Sequence, residues 1–286
     1  MKIGVFDSGL GGLTILDAIR QRLPQYDYLY LGDNARAPYG TRSFETIYHY
    51  TLEAVRYLQK QGCRLIILAC NTASAKALRT IQQHDIDPDK VRVLGVIRPT
   101  VEETYPQPIP KSGEVHIGIL ATPGTVASGS YVIELEKAYP IPERKGDSLF
   151  IHQQACAMWV PLIEAGEHRG EGADYFVHEY IDALLAQDPQ IDTILLGCTH
   201  YPLIQDKIEA ALEGKVIRVI SQGPIVARSL EDYLSRHPEI NSDLSTEGTC
   251  LFSTTDNAEM FETAAKQIFG QEELSVEHVD LDGPTD

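Results

Sequence analysis

Two stretches of similar form decide the fold: Leu-Ile-Ile-Leu-Ala-Cys-Asn-Thr-Ala-Ser at residues 65–74, and Thr-Ile-Leu-Leu-Gly-Cys-Thr-His-Tyr-Pro at residues 193–202. Each is a short apolar run followed by a small residue, a cysteine and polar side chains. Such a run is typical of a strand covered on both faces, as in a parallel sheet. Open α/β sheets bind ligands at the carboxyl ends of their strands. The sequence therefore predicts that two similar halves bring Cys70 and Cys198 to a shared cleft.

Strand and helix patterns alternate along the rest of the chain, and residues 117–125 repeat the form of residues 3–9. We therefore predict an α/β protein with two similar doubly wound parallel-sheet domains, related by pseudo-two-fold symmetry, with the active site in the cleft between them. The first domain is predicted to comprise residues 1–97 and 214–286 and to carry Cys70. The second comprises residues 98–213 and carries Cys198. A proline-rich stretch at residues 105–113 is predicted to be an exposed connection.

Composition excludes several classes of protein. The 286 residues are 43% hydrophobic and 23% charged, which is ordinary for a soluble globular protein. A net charge of −17 without a basic stripe argues against a nucleic-acid partner. No apolar run approaches the roughly 18 residues of a membrane-spanning helix, and Asp7 comes too early for a signal peptide. Five cysteines without framework spacing indicate a reducing cytoplasm.

A pair of thiols in one cleft suggests acid–base chemistry at carbon. One thiolate removes a proton and the opposite thiol returns one, as in a racemase or epimerase; an ordinary thiol pKa near 8.5 makes both forms accessible. Buried structural cysteines are the alternative for Cys70 and Cys198 taken singly. A disulfide conflicts with a reducing compartment, and the spacing that zinc sites use is absent. We expect no metal and no cofactor.

Further polar groups follow other predicted strands. Asp7-Ser-Gly-Leu-Gly-Gly-Leu-Thr14 is a glycine-rich turn that matches neither a P-loop nor a Rossmann fingerprint. We predict that Ser8 caps the helix after this turn and offers its hydroxyl to a ligand, while Asp7 is either a helix cap or a site residue. Tyr39 and Gly40 lie in a loop that is either a plain turn or a ligand contact. Asn71 opens a helix whose N-terminus suits a bound anion.

Four motifs in this order resemble the glutamate racemases, within the wider group of cofactor-independent aspartate/glutamate-type racemases. They are Asp7-Ser-Gly-Leu-Gly-Gly-Leu-Thr, Pro38-Tyr-Gly, Ala69-Cys-Asn-Thr-Ala-Ser and Gly197-Cys-Thr-His-Tyr-Pro. The resemblance extends from residue 3 to about residue 270. It implies a two-domain α/β fold with the active site in the interdomain cleft, in agreement with the repeat described above.

The resemblance also implies roles for individual residues. Cys70 and Cys198 match the two catalytic cysteines, one for each direction of proton removal at Cα. Asp7, His200 and Glu164 match groups that tune the thiols. The implied substrate contacts are Asp7, Ser8, Tyr39, Gly40, Asn71, Thr72, Thr199 and His200.

The implied activity is racemisation of glutamate without a cofactor, which supplies D-glutamate for bacterial peptidoglycan in the cytoplasm. Three alternatives remain: a racemase for aspartate or another amino acid, a ligand-binding protein that has lost the chemistry, and a cysteine hydrolase. A hydrolase using Cys198 with His200 is disfavoured, because residues two apart at a strand-to-helix turn rarely meet. The partner is a small molecule, and a homodimer is one expected assembly.

Two positions depart from the family pattern. Arg98 stands where many relatives carry glutamate, and Ser221-Gln222-Gly223 stands where Asp-Ser-Gly is more usual. Both lie outside the four motifs. We therefore expect them to affect regulation and interdomain contacts more than the reaction itself.

Overall fold

The computed structural model describes residues 1–104, 113–139, 148–269 and 274–281, and these contain ten strands. The strands are β1 Ile3–Asp7, β2 Tyr28–Gly32, β3 Leu65–Leu68, β4 Arg92–Gly95, β5 Glu114–Ala121, β6 Ser148–Ala155, β7 Thr193–Gly197, β8 Arg218–Ile220, β9 Cys250–Thr254 and β10 Val276–His278. The predicted proline-rich connection at residues 105–113 lies outside the described residues except for Gly113.

The helices alternate with these strands along the chain. They are α1 Leu13–Arg22, α2 Phe44–Lys60, α3 Asn71–Lys76, α4 Leu78–His84, α5 Ile97–Thr104, α6 Pro123–Ser128, α7 Ser130–Ala138, α8 Trp159–Glu164, α9 Glu171–Gln187, α10 Gln205–Ala211, α11 Gly223–Arg236, α12 Pro238–Asn241 and α13 Ala258–Phe269. None of the helices in the described part of the chain has both the length and the apolar character that a membrane crossing needs.

The strands form two separate parallel sheets with the same internal order. The first sheet has the order β10-β9-β2-β1-β3-β4, and the second has the order β6-β5-β7-β8. Strands β2-β1-β3-β4 thus correspond one by one to β6-β5-β7-β8, which is the repeat expected from the sequence. The predicted α/β class with two similar parallel-sheet halves is confirmed.

The connections reverse direction at corresponding places in the two sheets. From β1 the chain passes to β2 on one side and then returns to β3 on the other, and β5, β6 and β7 repeat this path. Such a reversal opens a crevice at the carboxyl ends of the two central strands, where doubly wound sheets bind ligands. Cys70 follows β3 and Cys198 follows β7, so both cysteines come from the crevice of their own sheet.

Strand β8 lies in the second sheet, although the sequence predicts that this part of the chain belongs to the first domain. Residues 214–286 are predicted to return to the first domain, but Val219 and Ile220 of β8 pair with Ile194 and Leu195 of β7 in the second sheet. The short β7–α10–β8 crossover explains this position, because such a unit places its second strand in the same sheet as the first. The chain therefore joins the first sheet again only after Ile220, with β9 pairing to β2.

Each sheet is covered on both faces because its strands carry apolar side chains on alternate sides. On the first sheet, Val5 and Ile67 pack in one cluster, while Phe6 and Leu68 pack in the cluster on the other side. The helices that cover these clusters carry apolar stripes of their own. For α2 the predicted boundary at Ser43 is confirmed, since the Thr46 amide donates to Ser43 Oγ at 3.1 Å.

Candidate active site

A cavity at the carboxyl ends of the central strands is lined from both sheets. Both cysteines predicted to be catalytic lie on its wall, as do all but one of the predicted substrate contacts. These lining residues are Ser8, Tyr39, Gly40, Cys70, Asn71, Thr72, Cys198, Thr199 and His200. The cavity wall formed by the described residues contains no lysine or arginine.

Cys70 sits in a buried and weakly polar position between β3 and α3. It caps the N-terminus of α3, where its sulfur accepts from the Ala73 amide at 3.5 Å. Its thiol donates to Ser8 Oγ at 3.4 Å. Burial, reinforced by the nearby Asp7, raises the pKa of Cys70 to about 12 despite these two hydrogen bonds. Cys70 is therefore a neutral thiol near pH 7 in the absence of a ligand.

Ser8 is not the helix cap that the sequence predicts. The N-cap of α1 is Gly12, and it makes no side-chain capping bond. The glycine-rich turn extends far enough to separate Ser8 from the first helical residue, Leu13. The Ser8 hydroxyl is thereby free to accept from Cys70 on the cavity wall.

Cys198 lies beside an imidazole whose other nitrogen is bound to a carboxylate. The Cys198 sulfur is 3.8 Å from Nδ1 of His200, and Nε2 of His200 is 3.0 Å from Oε1 of Glu164. Burial opposes protonation of His200, but its bonds to Cys198 and Glu164 prevail and raise its pKa well above the usual value of 6.5. A protonated imidazole at this position places a positive charge beside the Cys198 sulfur.

This geometry corrects one premise of the sequence analysis. Cys198 and His200 were expected not to meet, yet the backbone turn after β7 brings them within hydrogen-bonding reach, and Glu164 supplies the third, orienting group. Strand β7 ends at Gly197, so both residues lie in the turn after the strand, and this turn brings their side chains together. The separation of Cys198 and His200 in the sequence therefore does not exclude a cysteine hydrolase.

Asp7 is the one predicted substrate contact that does not line the cavity. It is completely buried behind the wall, where Oδ2 accepts from the Gly9 amide at 3.0 Å and Oδ1 accepts from the Thr199 hydroxyl at 3.4 Å. Burial raises the pKa of Asp7, although the nearby His200 opposes that shift. Asp7 thus holds Thr199, a cavity-wall residue of the second half, against the turn that follows β1.

Tyr39 lines the cavity, and its hydroxyl is bound to Asp33, which does not line it. The phenol donates to Asp33, which also accepts from Arg36 Nε at 2.7 Å and from the Thr255 hydroxyl at 2.8 Å. These bonds fix the loop that carries Gly40. A Cβ on Gly40 would lie 2.9 Å from Cβ of Thr122, so only glycine allows this loop to approach the second half so closely.

Several lining residues were not predicted from the sequence. Thr122 and Cys156 directly follow β5 and β6, while Val160 and Pro161 in α8 form an apolar part of the wall. The rule that identified Cys70, a polar or reactive group at the end of a predicted strand, also identifies Thr122 and Cys156. No comparable signal marks α8, because its position over the cavity depends on the packing of the second half.

The sequence of residues 13–230 matches the profile of the Asp/Glu/hydantoin racemases. The chain belongs to this racemase family. A glutamate racemase of Ruegeria sp. strain TM1040 is 42% identical over 95% of this chain and 98% of its own length. The family members with solved structures include a glutamate racemase isoform of Bacillus anthracis, 33% identical with a TM-score of 0.84 over 98% of this chain and 97% of that one.

A glutamate racemase from Francisella tularensis, solved with D-glutamate, is 30% identical to this racemase-family chain. It superposes with a TM-score of 0.80 over 98% of both chains. That protein binds a small molecule. The cavity between the two sheets of the present chain is likewise suited to a small-molecule substrate.

Proposed function

We propose that this chain is a cofactor-independent glutamate racemase in which Cys70 and Cys198 are the two bases. One observation carries the proposal: the two thiols belong to corresponding strands of the two sheets and line one cavity. A substrate between them presents opposite faces of its Cα to the two sulfurs. Removal of the proton on one face and return of a proton on the other inverts the configuration.

The environments of the thiols support opposite protonation states at rest. Burial raises the pKa of Cys70, which favours its thiol form, whereas Cys198 lies beside His200, whose pKa is raised by its bonds to Cys198 and Glu164. In one direction the Cys198 thiolate takes the Cα proton and the Cys70 thiol donates its own, which leaves the two charges exchanged. In the reverse direction the Cys70 thiolate is the base and the Cys198 thiol is the acid.

The remaining predicted contacts serve binding and charge stabilisation. Because the described wall has no lysine or arginine, the substrate carboxylates must be held by neutral donors and by His200. We assign this role to Ser8, Asn71, Thr72 and Thr199, together with backbone amides at Tyr39 and Gly40. Asp7 acts from behind the wall by holding Thr199.

We also propose a domain division that assigns β8 to the second domain. The first domain comprises residues 1–97 and 221–286, and the second comprises residues 98–220. Both thiols must remain reduced for acid–base work, so a reducing cytoplasm suits this chemistry. All five cysteines are free in the described residues. Supply of D-glutamate for peptidoglycan and assembly as a homodimer are further parts of the proposal.

The hydrolase alternative uses Cys198, His200 and Glu164 but has no role for Cys70. Membership of a racemase family and the position of Cys70 on the same cavity wall favour racemisation. A Cys70→Ser variant separates the two functions, because it spares a hydrolase and disables a two-base racemase.

The deciding experiment follows L-glutamate by proton NMR in D₂O with the purified chain and no added cofactor. We expect loss of the Cα proton signal together with D-glutamate in a chiral assay of the product. Exchange with aspartate but not with glutamate would indicate a racemase for another amino acid. Glutamate binding without exchange would indicate a binding protein.

A further inference from the structure

Gln222 is a buried amide at the return of the chain from the second sheet to the first. It lies between β8 and α11, and only 1% of its surface is exposed. It does not line the cavity. Its side chain nevertheless contacts Asn71, the residue that follows Cys70 and that does line the cavity.

Three side chains form a closed hydrogen-bonded ring. Asn71 Nδ2 donates to Gln222 Oε1 at 2.6 Å, Gln222 Nε2 donates to the Tyr131 hydroxyl oxygen at 2.8 Å, and the Tyr131 hydroxyl donates to Asn71 Oδ1 at 2.6 Å. Gln222 Nε2 has a further acceptor in Thr100 Oγ1 at 3.0 Å, and that hydroxyl donates to the Val96 carbonyl at 2.6 Å. Rotating either amide by 180° would set donors against donors, so the ring fixes both orientations.

The ring joins elements from both halves of the protein. Asn71 begins α3, which follows β3 of the first sheet, whereas Tyr131 belongs to α7, which packs on the second sheet. Thr100 lies in α5, where the chain first crosses between the sheets. Since Asn71 and Tyr131 are both almost fully buried, loss of Gln222 leaves polar groups without partners next to Cys70.

We propose that Gln222 is a positioning residue that acts through Asn71 to fix the Cys70 wall of the cavity relative to the second half. This inference rests on the proposed racemisation. Cys70 caps α3, so a shift of Asn71 at the first helical position moves the base itself. Small displacements of a reacting group are costly in a site that holds substrate between two fixed sulfurs.

The test uses Gln222→Met, which keeps the volume of the side chain and removes its hydrogen bonds. We expect kcat/KM for glutamate to fall about 10- to 100-fold. Because Gln222 acts through Asn71, its substitution should matter little once Asn71 is gone. The double variant Gln222→Met/Asn71→Ala should therefore have nearly the same kcat/KM as Asn71→Ala alone. Tyr131→Phe breaks the same ring and nearly keeps the volume of the side chain. The losses of kcat/KM caused by Tyr131→Phe and Gln222→Met should likewise not add in the double variant.

Gln82→Met is the matched control. Gln82 Nε2 donates to the Val93 carbonyl at 2.7 Å, and Gln82 does not line the cavity. The same substitution there should leave kcat/KM within about twofold of the wild type. Thermal unfolding of all variants identifies any loss of activity that comes from loss of fold.

A second readout does not depend on racemisation. Iodoacetamide labelling at pH 9, followed by peptide mass spectrometry, should show faster labelling of Cys70 relative to Cys198 in Gln222→Met than in the wild type. Wild-type kcat/KM in Gln222→Met, or fully additive losses in the double variants, would overturn the inference. If the wild type itself does not racemise glutamate, the proposed function fails. In that case, a ratio of Cys70 to Cys198 labelling that is the same in Gln222→Met and wild type would also overturn the role of Gln222.

Discussion

His200 Nδ1 lies 3.8 Å from the sulfur of Cys198, two residues earlier in the chain. Cys70, in the corresponding position of the other half, has a serine hydroxyl as its partner and no imidazole. The two proposed bases therefore occupy equivalent positions in the fold and have different neighbours.

Replacement of either cysteine should disable the racemase. We expect Cys70→Ser and Cys198→Ser each to reduce racemisation by about 10²- to 10⁴-fold, because each direction needs one sulfur as base and the other as acid. Coupled detection of D-glutamate from L-glutamate measures the rate. Cys250→Ser, in β9 and away from the cavity wall, is the control and should retain activity. Full activity in either site variant would contradict the two-base mechanism.

Alkylation of Cys70 should depend steeply on pH. With its pKa raised to about 12 by burial, Cys70 is a thiolate in only about one molecule in ten thousand at pH 8. Labelling of Cys70 by iodoacetamide should thus be slow at pH 7 and rise about tenfold per pH unit up to pH 10. A rate of Cys70 labelling that does not change between pH 7 and pH 9 would contradict the raised pKa of this thiol.

Glu164→Gln should move the alkaline limb of the rate profile to lower pH. The carboxylate helps to raise the pKa of His200, so its loss lets the imidazole lose its proton at lower pH. We therefore expect the alkaline limb of kcat to shift to lower pH. Glu167→Gln, close in sequence but not on the cavity wall, should leave the profile unchanged. A profile for Glu164→Gln that superposes on the wild-type curve would exclude this role of Glu164.

A methyl group at Gly124 should separate the two halves where they meet at the cavity. An added Cβ there would lie 2.6 Å from the carbonyl oxygen of Gly40, which is backbone and has to move. Gly124→Ala should lower kcat/KM about 10- to 100-fold through misplacement of the loop that carries Tyr39 and Gly40.

The control for this loop is Gly172→Ala, where an added Cβ meets no atom of the described residues within 4 Å. That change should leave kcat/KM unchanged and stabilise α9 by about 0.5–1 kcal/mol. Similar activity losses in both variants would show that the effect does not come from the contact between Gly124 and Gly40.

The sequence by itself determined most of the strands and the placement of both cysteines, although it gave no signal for β10 at Val276–His278. Apolar runs mark buried parallel strands because both faces of each strand are covered, and the residue after such a strand lies at the sheet edge where the cavity forms. Cys70 and Cys198 are identified by this local pattern alone. The same pattern also marks Thr122 and Cys156, which directly follow β5 and β6.

Only the tertiary structure decided which groups surround those thiols. The contact of His200 with Glu164, the position of Asp7 behind the wall and the ring of Gln222, Asn71 and Tyr131 join residues far apart in the chain. The sequence pattern of β8 likewise fits an edge strand of either sheet. Its place in the second sheet follows from the short crossover that connects it to β7. The periodicity of apolar residues within one element indicates which of its side chains are buried. The contacts named here depend instead on how the two halves of the protein pack against each other.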